Sequence, residues 1–334
     1  MFFCFTLSLG LNAQESTYSP LETQSSFESF RIEKGGFFPG IYYTDIIEAS
    51  RRTENSSPYW VRTYAEQEAW NRAVTDYTSI LLNNDILLYY GHPRSRNMGI
   101  LGRYSIEELD RRLSLLAAEY EAVNGGRNIK KAFYIIYGTV WPEGEIGIIN
   151  QDLLRQWVEY GVENDILIFI DHQIGRYDPV VSLSRMFPWL KYPNVHLAFD
   201  PEWRTSKPMQ EIGYVTAEEV NRAQQLMEDY IYANDITGER FLVIHQFNWR
   251  LIRNREQVKS NFKRVRLVHC ADGIGSPAMK RDSYAFNARA TNIPVKSFKL
   301  FYNFEIPGAG FDNPLMTPKQ VMELEPRPYI IMYQ

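Results

Sequence analysis

Residues 195–203 read Val-His-Leu-Ala-Phe-Asp-Pro-Glu-Trp, an apolar run that ends in two carboxylic acids separated by one proline. Side chains of a β-strand alternate between its two faces, so Asp200 and Glu202 are predicted to lie on the same side as Ala198. Pro201 has no N–H group to donate to a neighbouring strand, which indicates that the strand ends there. The stretch therefore predicts a buried strand that carries a small inward residue and two carboxyl groups at its carboxyl end.

Similar apolar runs recur along the chain and alternate with helical patterns. Ser105 and Thr216 each begin a capping box with a glutamate three residues later, and further helices are predicted at residues 59–82 and 151–163. Strands are predicted at residues 41–47, 85–90, 132–137, 166–170, 195–199, 241–244, 265–268, 297–302 and 329–332.

This alternation predicts an α/β protein with a parallel sheet. Gly-x-Gly-x-x-Gly is absent after the first strands, which favours a single closed (β/α)8 TIM-type barrel over a doubly wound nucleotide-binding fold. Such a barrel takes about 250 residues as one domain. The chain has 334, which leaves room for an N-terminal extension.

The N-terminal part of the sequence differs in character from the rest. Residues 1–14 form an apolar run that ends in small and polar residues, which resembles a secretory signal peptide although no basic residue precedes it. Residues 15–36, rich in Ser, Thr, Glu and Gln, are predicted to be a linker, and residues 37–334 the barrel domain. We therefore expect export to the periplasm, the cell surface or the medium. Without residues 1–14, Cys270 is the one remaining cysteine, so no intrachain disulfide is expected.

Composition narrows the classes of partner. The net charge of −4 and the pI near 5.9 provide no basic field for a phosphate backbone, so nucleic acid is not an expected partner. No second stretch approaches the roughly 18 apolar residues of a transmembrane span. Neither Gly-x-Ser-x-Gly nor Gly-x-x-x-x-Gly-Lys occurs, so the chain has no nucleophile elbow and no phosphate loop of those types. No cofactor is predicted, and the expected ligand is a carbohydrate or another small polar molecule.

Polar residues follow six of the predicted strands. Active sites of (β/α) barrels are built from the carboxyl ends of the strands, so these residues are predicted to form a functional rim. The predicted rim comprises His92, Asp171, His172, Asp200, Glu202, His245, His269, Asp272 and Glu305.

Within this rim, the pair Asp200 and Glu202 gives the sharpest prediction. Two neighbouring negative charges raise one pKa, so Glu202 is predicted to stay protonated as a general acid while Asp200 orients it, with Asp171 as a third catalytic group. A competing interpretation pairs the carboxylates with Arg204 or another arginine in structural salt bridges. The predicted substrate-binding residues, which include two aromatic rings that could stack on sugars, are His92, His172, His245, His269, Asp272, Tyr302, Glu305 and Trp203.

Two alternatives remain open. Imidazole and carboxylate groups suit Zn²⁺ and Mn²⁺, so the rim residues could instead serve a metal-dependent hydrolase. Against a metal site, the sequence has no His-x-His or His-Glu-x-x-His pair, and every ligand would come from a different strand. The second alternative is a barrel that binds carbohydrate without catalysis.

Several motifs resemble an uncharacterised family of exported bacterial proteins, many of them actinobacterial lipoproteins. They are Tyr-Gly-His-Pro at residues 90–93, Met-Gly-Ile-Leu-Gly at 98–102, Asp-Pro-Glu-Trp at 200–203, Val-Ile-His-Gln-Phe at 243–247, Lys-Leu-Phe-Tyr at 299–302 and Pro-Arg-Pro at 326–328. The resemblance implies a barrel and an extracytoplasmic location, and it implies no particular activity.

The Asp-x-Glu motif at Asp200 and Glu202 also resembles chitinase-type glycosidases. In that family the Glu is the acid/base, and the Asp two residues earlier positions a substrate acetamide that acts as nucleophile. The resemblance implies that Glu202 is the proton donor and Asp200 the orienting carboxylate. The chitinase motif also has Asp at the positions of Ala198 and Val195, where this chain departs from it.

Overall fold

The computed structural model describes residues 79–334 and the backbone of a two-residue strand, Ser16–Thr17. The predicted signal peptide and the predicted strand at 41–47 lie outside the described residues. So do the predicted linker, apart from that short strand, and most of the predicted helix at 59–82. The end of that helix is described, and there Ile80–Leu82 form one 3-10 turn.

Eight parallel strands form a closed barrel with helices around it, which confirms the predicted TIM-type fold. Each strand pairs with the next, and the eighth pairs with the first, so that Ile330 lies opposite Ile86. The strands are β1 (Asn84–Gly91), β2 (Asn128–Val140), β3 (Leu167–Gln173), β4 (Val195–Asp200), β5 (Arg240–His245), β6 (Val265–Ala271), β7 (Val295–Leu300) and β8 (Ile330–Tyr333).

The helices begin where the capping residues predict. The Ser105 hydroxyl accepts a hydrogen bond from the Glu108 N–H, and Thr216 and Glu219 form a complete capping box. The Glu108 carboxylate instead pairs with arginines one turn later, so the first box lacks its reciprocal bond. The helices are α1 (Ile106–Glu121), α2 (Gln151–Glu163), α3 (Pro179–Ser184), α4 (Ala217–Ala233), α5 (Pro277–Ala288) and α6 (Pro318–Met322).

The strands divide their side chains between two hydrophobic cores. One core fills the barrel and includes Leu88, Phe169, Ala198 and Val243. The other lies between the strands and the helices and includes the intervening residues, such as Phe199. Because both strand faces are buried, the strands read as continuous apolar runs rather than alternating ones.

The connection from β5 to β6 differs from the other long connections because it contains no α-helix. Residues 246–264 form two 3-10 turns, Trp249–Leu251 and Arg255–Gln257, and a short strand, Ile252–Arg253. That strand pairs in parallel with Val215–Thr216, just before α4. The ring of helices therefore has a gap at this place.

No helix among residues 79–334 is long and apolar enough to cross a membrane.

Candidate functional site

Six ionisable side chains meet at the carboxyl ends of β3 to β7, and we call them the mouth group. Strand alternation accounts for their direction: Asp171 continues the inward row of Phe169, and Asp200 continues that of Ala198. The atoms that Asp200, His245 and Asp272 could offer to a metal all lie within 4.8 Å of one another. The mouth group consists of Asp171, Asp200, Glu202, His245, Asp272 and Lys299.

His245 lies at the centre of a buried hydrogen-bond network. Its Nε2 atom is 2.6 Å from the Tyr134 hydroxyl, and its Nδ1 atom is 3.1 Å from Oδ2 of Asp272. Burial opposes protonation of the imidazole, but its interaction with the Cys270 sulfur, its hydrogen bond with Asp272 and the negative charge of Asp200 outweigh burial. The pKa of His245 is consequently well above its usual range. The same bond outweighs burial at Asp272 and lowers the pKa of that carboxyl group. Their hydrogen bond therefore favours the imidazolium form of His245 and the carboxylate form of Asp272.

Asp200 and Glu202 are both held toward their neutral forms. Asp200 is buried, and burial together with the negative charges of Asp272 and Asp171 raises its pKa to about 7. Glu202 retains some exposure to solvent, yet burial of its carboxyl group and the charges of Asp200 and Asp272 raise its pKa well above the usual range. The backbone N–H of Glu202 donates to Oδ1 of Asp200 at 3.3 Å, which keeps the two residues in one tight turn.

Asp171 is the most isolated carboxyl group of the site. It is fully buried, and neither oxygen has a hydrogen-bond partner of ordinary geometry among residues 79–334. Burial raises its pKa, although His245, Lys299 and the nearby Tyr90 hydroxyl favour the ionised form. A buried carboxyl group with so few partners inside a polar mouth is placed to interact with a ligand or with water.

Lys299 is the member of the mouth group that we did not predict. Its ammonium group lies 3.9 Å from the centre of the Tyr90 ring, and its positive charge lowers the pKa of each of the four carboxyl groups. The alternation of side chains along β7 could have predicted this position. Val295 faces inward and Phe298 faces outward, so residue 299 must face inward.

Three of the four predicted rim histidines lie away from the mouth group. His172 faces outward, with its ring 5.9 Å from that of Tyr137, and burial lowers its pKa to about 4. His269 also faces outward, where it contacts Gln246 and the Lys296 ammonium group. Nδ1 of His92 accepts the backbone N–H of Arg94 in the turn after β1.

Of the other predicted substrate-binding residues, Asp272 belongs to the mouth group, whereas Tyr302, Trp203 and Glu305 do not. The Tyr302 ring stacks on Tyr333, and Trp203 packs against the core between strands and helices. Glu305 is exposed in the loop after β7. Arg204, the predicted salt-bridge partner of Asp200 and Glu202, instead pairs with Glu219 at 2.6 Å.

The group of Asp200, His245 and Asp272 has the donor types of a transition-metal site. Metal ligation, however, requires a neutral imidazole with a free ring nitrogen. Both ring nitrogens of His245 are already hydrogen-bonded, and its raised pKa favours the imidazolium form. The hydrogen bonds of His245 therefore fit a proton-transfer network, while the three groups keep the donor types of a metal site.

Comparison with known proteins adds no family to this description, because the chain matches no protein-family model and no curated protein.

Proposed function

We propose that the mouth group hydrolyses a glycosidic bond by general acid/base catalysis, with Glu202 as the acid. The observation that carries the proposal is the combination of access and protonation at this residue. As a residue, Glu202 retains partial exposure to solvent, whereas Asp171 and Asp200 are buried. Burial of its carboxyl group raises its pKa and favours the protonated form that a general acid requires.

Asp171 is the proposed partner of Glu202. A glycosidase needs a second carboxylate that either activates water or attacks the sugar. The carboxylate of Asp171, with the Tyr90 hydroxyl beside it, is the proposed group for this role, and its raised pKa makes it a stronger base than an ordinary carboxylate once it is ionised. Asp272, whose pKa is lowered, supplies buried negative charge that favours the positively charged transition state of glycoside cleavage.

The test is a comparison of Glu202→Gln with the wild type on a panel of aryl glycosides and polysaccharides. The amide keeps the shape but has no acidic proton, so turnover should fall by roughly 10²–10⁴. Glu211→Gln is the matched control, because Glu211 is an exposed glutamate in the same loop that pairs with Lys207.

Leaving-group dependence separates loss of the acid from general damage. An aryl group with a low pKa departs without protonation, so Glu202→Gln should lose much less activity on dinitrophenyl glycosides than on unactivated sugars. An equal loss on both would contradict the assignment of Glu202 as the acid. If the wild type binds a glycan but cleaves none of the panel, the non-catalytic binding alternative replaces the proposal.

A metal-dependent hydrolase is the second candidate, favoured by the close approach of Asp200, His245 and Asp272. It requires that a metal displace the proton of His245, so binding should release protons and strengthen with pH. Calorimetric titration of the chelator-treated protein with Zn²⁺ and Mn²⁺ tests this. Stoichiometric binding that His245→Gln abolishes, together with metal-dependent turnover, would favour this candidate over acid/base catalysis.

We also propose that the protein acts outside the cytoplasm, as the resemblance to exported bacterial proteins and the apolar residues 1–14 suggest. N-terminal sequencing of the protein from the producing cell's extracytoplasmic fraction tests this, and a start at Met1 in the cytoplasmic fraction would contradict it.

A further inference from the structure

The gap in the helical ring contains an open groove of about 650 Å³. Its walls come from the loop after β4, the β5–β6 connection and one side chain of α5. A cavity of this size accommodates two or three sugar units or a ligand of similar size. The residues that carry the argument are Tyr214, Trp249, Arg250, Arg253, Glu256 and Phe286.

Aromatic rings form part of the groove surface. Trp249 is 66% exposed, the largest exposed fraction of any large hydrophobic side chain among residues 79–334. Its turn is fixed because Oδ1 of Asn248 accepts the Arg250 N–H at 3.0 Å. Tyr214 and Phe286 are half-buried in the same groove. Exposed rings on a fixed turn are suited to stack on the apolar C–H face of a sugar.

Two arginines give the groove a local positive charge. Arg250 lies over the Trp249 ring at 5.2 Å, and Arg253 lies over the Tyr214 ring at 3.3 Å. Neither guanidinium group forms an ion pair within the described part of the chain. Glu256 also lines the groove, and its negative charge acts on Arg255, which donates to Gln246. A guanidinium fork held by an aromatic ring is suited to bind a carboxylate.

The segments that line the groove are neighbours in sequence of the residues of the mouth group. The Gly213 N–H donates to the Glu202 carbonyl at 2.6 Å, so the loop that begins at Glu202 folds back and presents Tyr214 to the groove. On the other side, the connection that carries Trp249 begins directly after His245. The groove and the mouth group are therefore carried by the same two loops.

We propose that this groove binds uronic-acid units of an anionic glycan, with Trp249 stacking on a sugar ring and Arg250 and Arg253 binding its carboxylate. The inference rests on the proposed glycosidase function and names its substrate class. A net charge of −4 disfavours general attraction of polyanions, so recognition must come from this local arrangement.

The experiment measures binding of hexasaccharides by calorimetry, using oligogalacturonate, oligomannuronate and hyaluronate with neutral cello- and maltohexaose for comparison. At least one uronate chain should bind more tightly than both neutral chains. Trp249→Ala and the double variant Arg250→Gln/Arg253→Gln should each weaken that binding about tenfold or more. Arg111→Gln, which removes an exposed arginine of α1, should leave it unchanged.

The outcomes distinguish the inference from the proposed function. If Glu202→Gln binds uronates like the wild type but the wild type cleaves no glycan, the groove inference stands and the glycosidase proposal fails. If the enzyme cleaves glycosides but no uronate chain binds, or the groove variants bind normally, the inference fails alone. Stronger binding of poly-glutamate or single-stranded DNA than of every uronate would also overturn it.

Discussion

Asp200 is buried at the end of β4, where its ionised form has lost most of the water that stabilises a carboxylate. Its pKa of about 7 means that the folded protein holds this proton more tightly than the unfolded chain does. The contribution of Asp200 to stability therefore falls as the pH rises from about 4 to about 7, because this group ionises first in the unfolded chain. An acid that destabilises the fold in this way indicates a site shaped for function.

Asp200→Asn should lower activity and raise stability together. Loss of the negative charge lowers the pKa of Glu202, so the basic limb of the pH–rate profile should move to lower pH. Removal of the buried charge should add on the order of 1–3 kcal/mol at pH 8 and less at pH 5. Thermal unfolding at both pH values measures this, with Asp282→Asn on the exposed side of α5 as control. A variant less stable than the wild type at pH 8 would refute the argument.

Single residues were predictable from the sequence where strand alternation alone decides their direction. The prediction placed Asp200 and Ala198 on one face, and Ala198 does lie inside the barrel. The same rule, applied to β3 and β6, turns His172 and His269 outward. We predicted both as loop residues because the apolar runs end before them, whereas the strands continue to Gln173 and Ala271.

At the scale of elements, a buried ion pair connects helix α5 to the loop after β7. The Lys280 ammonium group on α5 is 3.2 Å from Oδ2 of Asp312, and both side chains are almost fully buried. Lys280 also donates to the carbonyl oxygens of Gly273 and Lys299. Gly273 follows the mouth residue Asp272 in the sequence, and Lys299 is itself a mouth residue. The ion pair therefore holds the backbone at both mouth residues in place.

Lys280→Met should destabilise the protein by about 3–5 kcal/mol, because it leaves the Asp312 carboxylate buried without its cation. Lys280→Met/Asp312→Asn should recover part of that loss, since the remaining amide is neutral. Urea unfolding of the two variants gives the comparison. A double variant as unstable as the single one would show that Lys280 acts through its carbonyl contacts rather than through the ion pair.

Secondary structure was predictable where a local signal decides it. The caps at Ser105 and Thr216 fix the starts of α1 and α4, and the helix predicted at 151–163 matches α2. The lack of a helix between β5 and β6 follows instead from tertiary packing: residues 246–264 are held by side chains far apart in sequence, such as Asn221, which bonds Lys259. No local pattern in the sequence encodes such contacts.

At the scale of the whole molecule, the barrel is closed by its last few residues. β8 pairs with both β7 and β1, and its four side chains are almost entirely buried. Closure brings the carboxyl ends of β3 to β7 around one mouth, and so assembles acidic residues that are far apart in the sequence. A sheet left open between β7 and β1 would expose two strand edges and could not hold this arrangement.

Removal of residues 330–334 should therefore abolish cooperative folding. Burial of a large apolar side chain contributes about 1.5–3 kcal/mol, so the loss of Ile330, Ile331, Met332 and Tyr333 removes roughly 6–12 kcal/mol. That amount is comparable to the entire stability of a typical domain, about 5–15 kcal/mol. Near-ultraviolet circular dichroism and thermal melting of the chain ending at Tyr329 measure the effect, with full-length Gln334→Ala as the control that leaves β8 intact. A truncated chain that melts cooperatively near the wild-type temperature would mean that seven strands suffice, and that the mouth does not depend on closure.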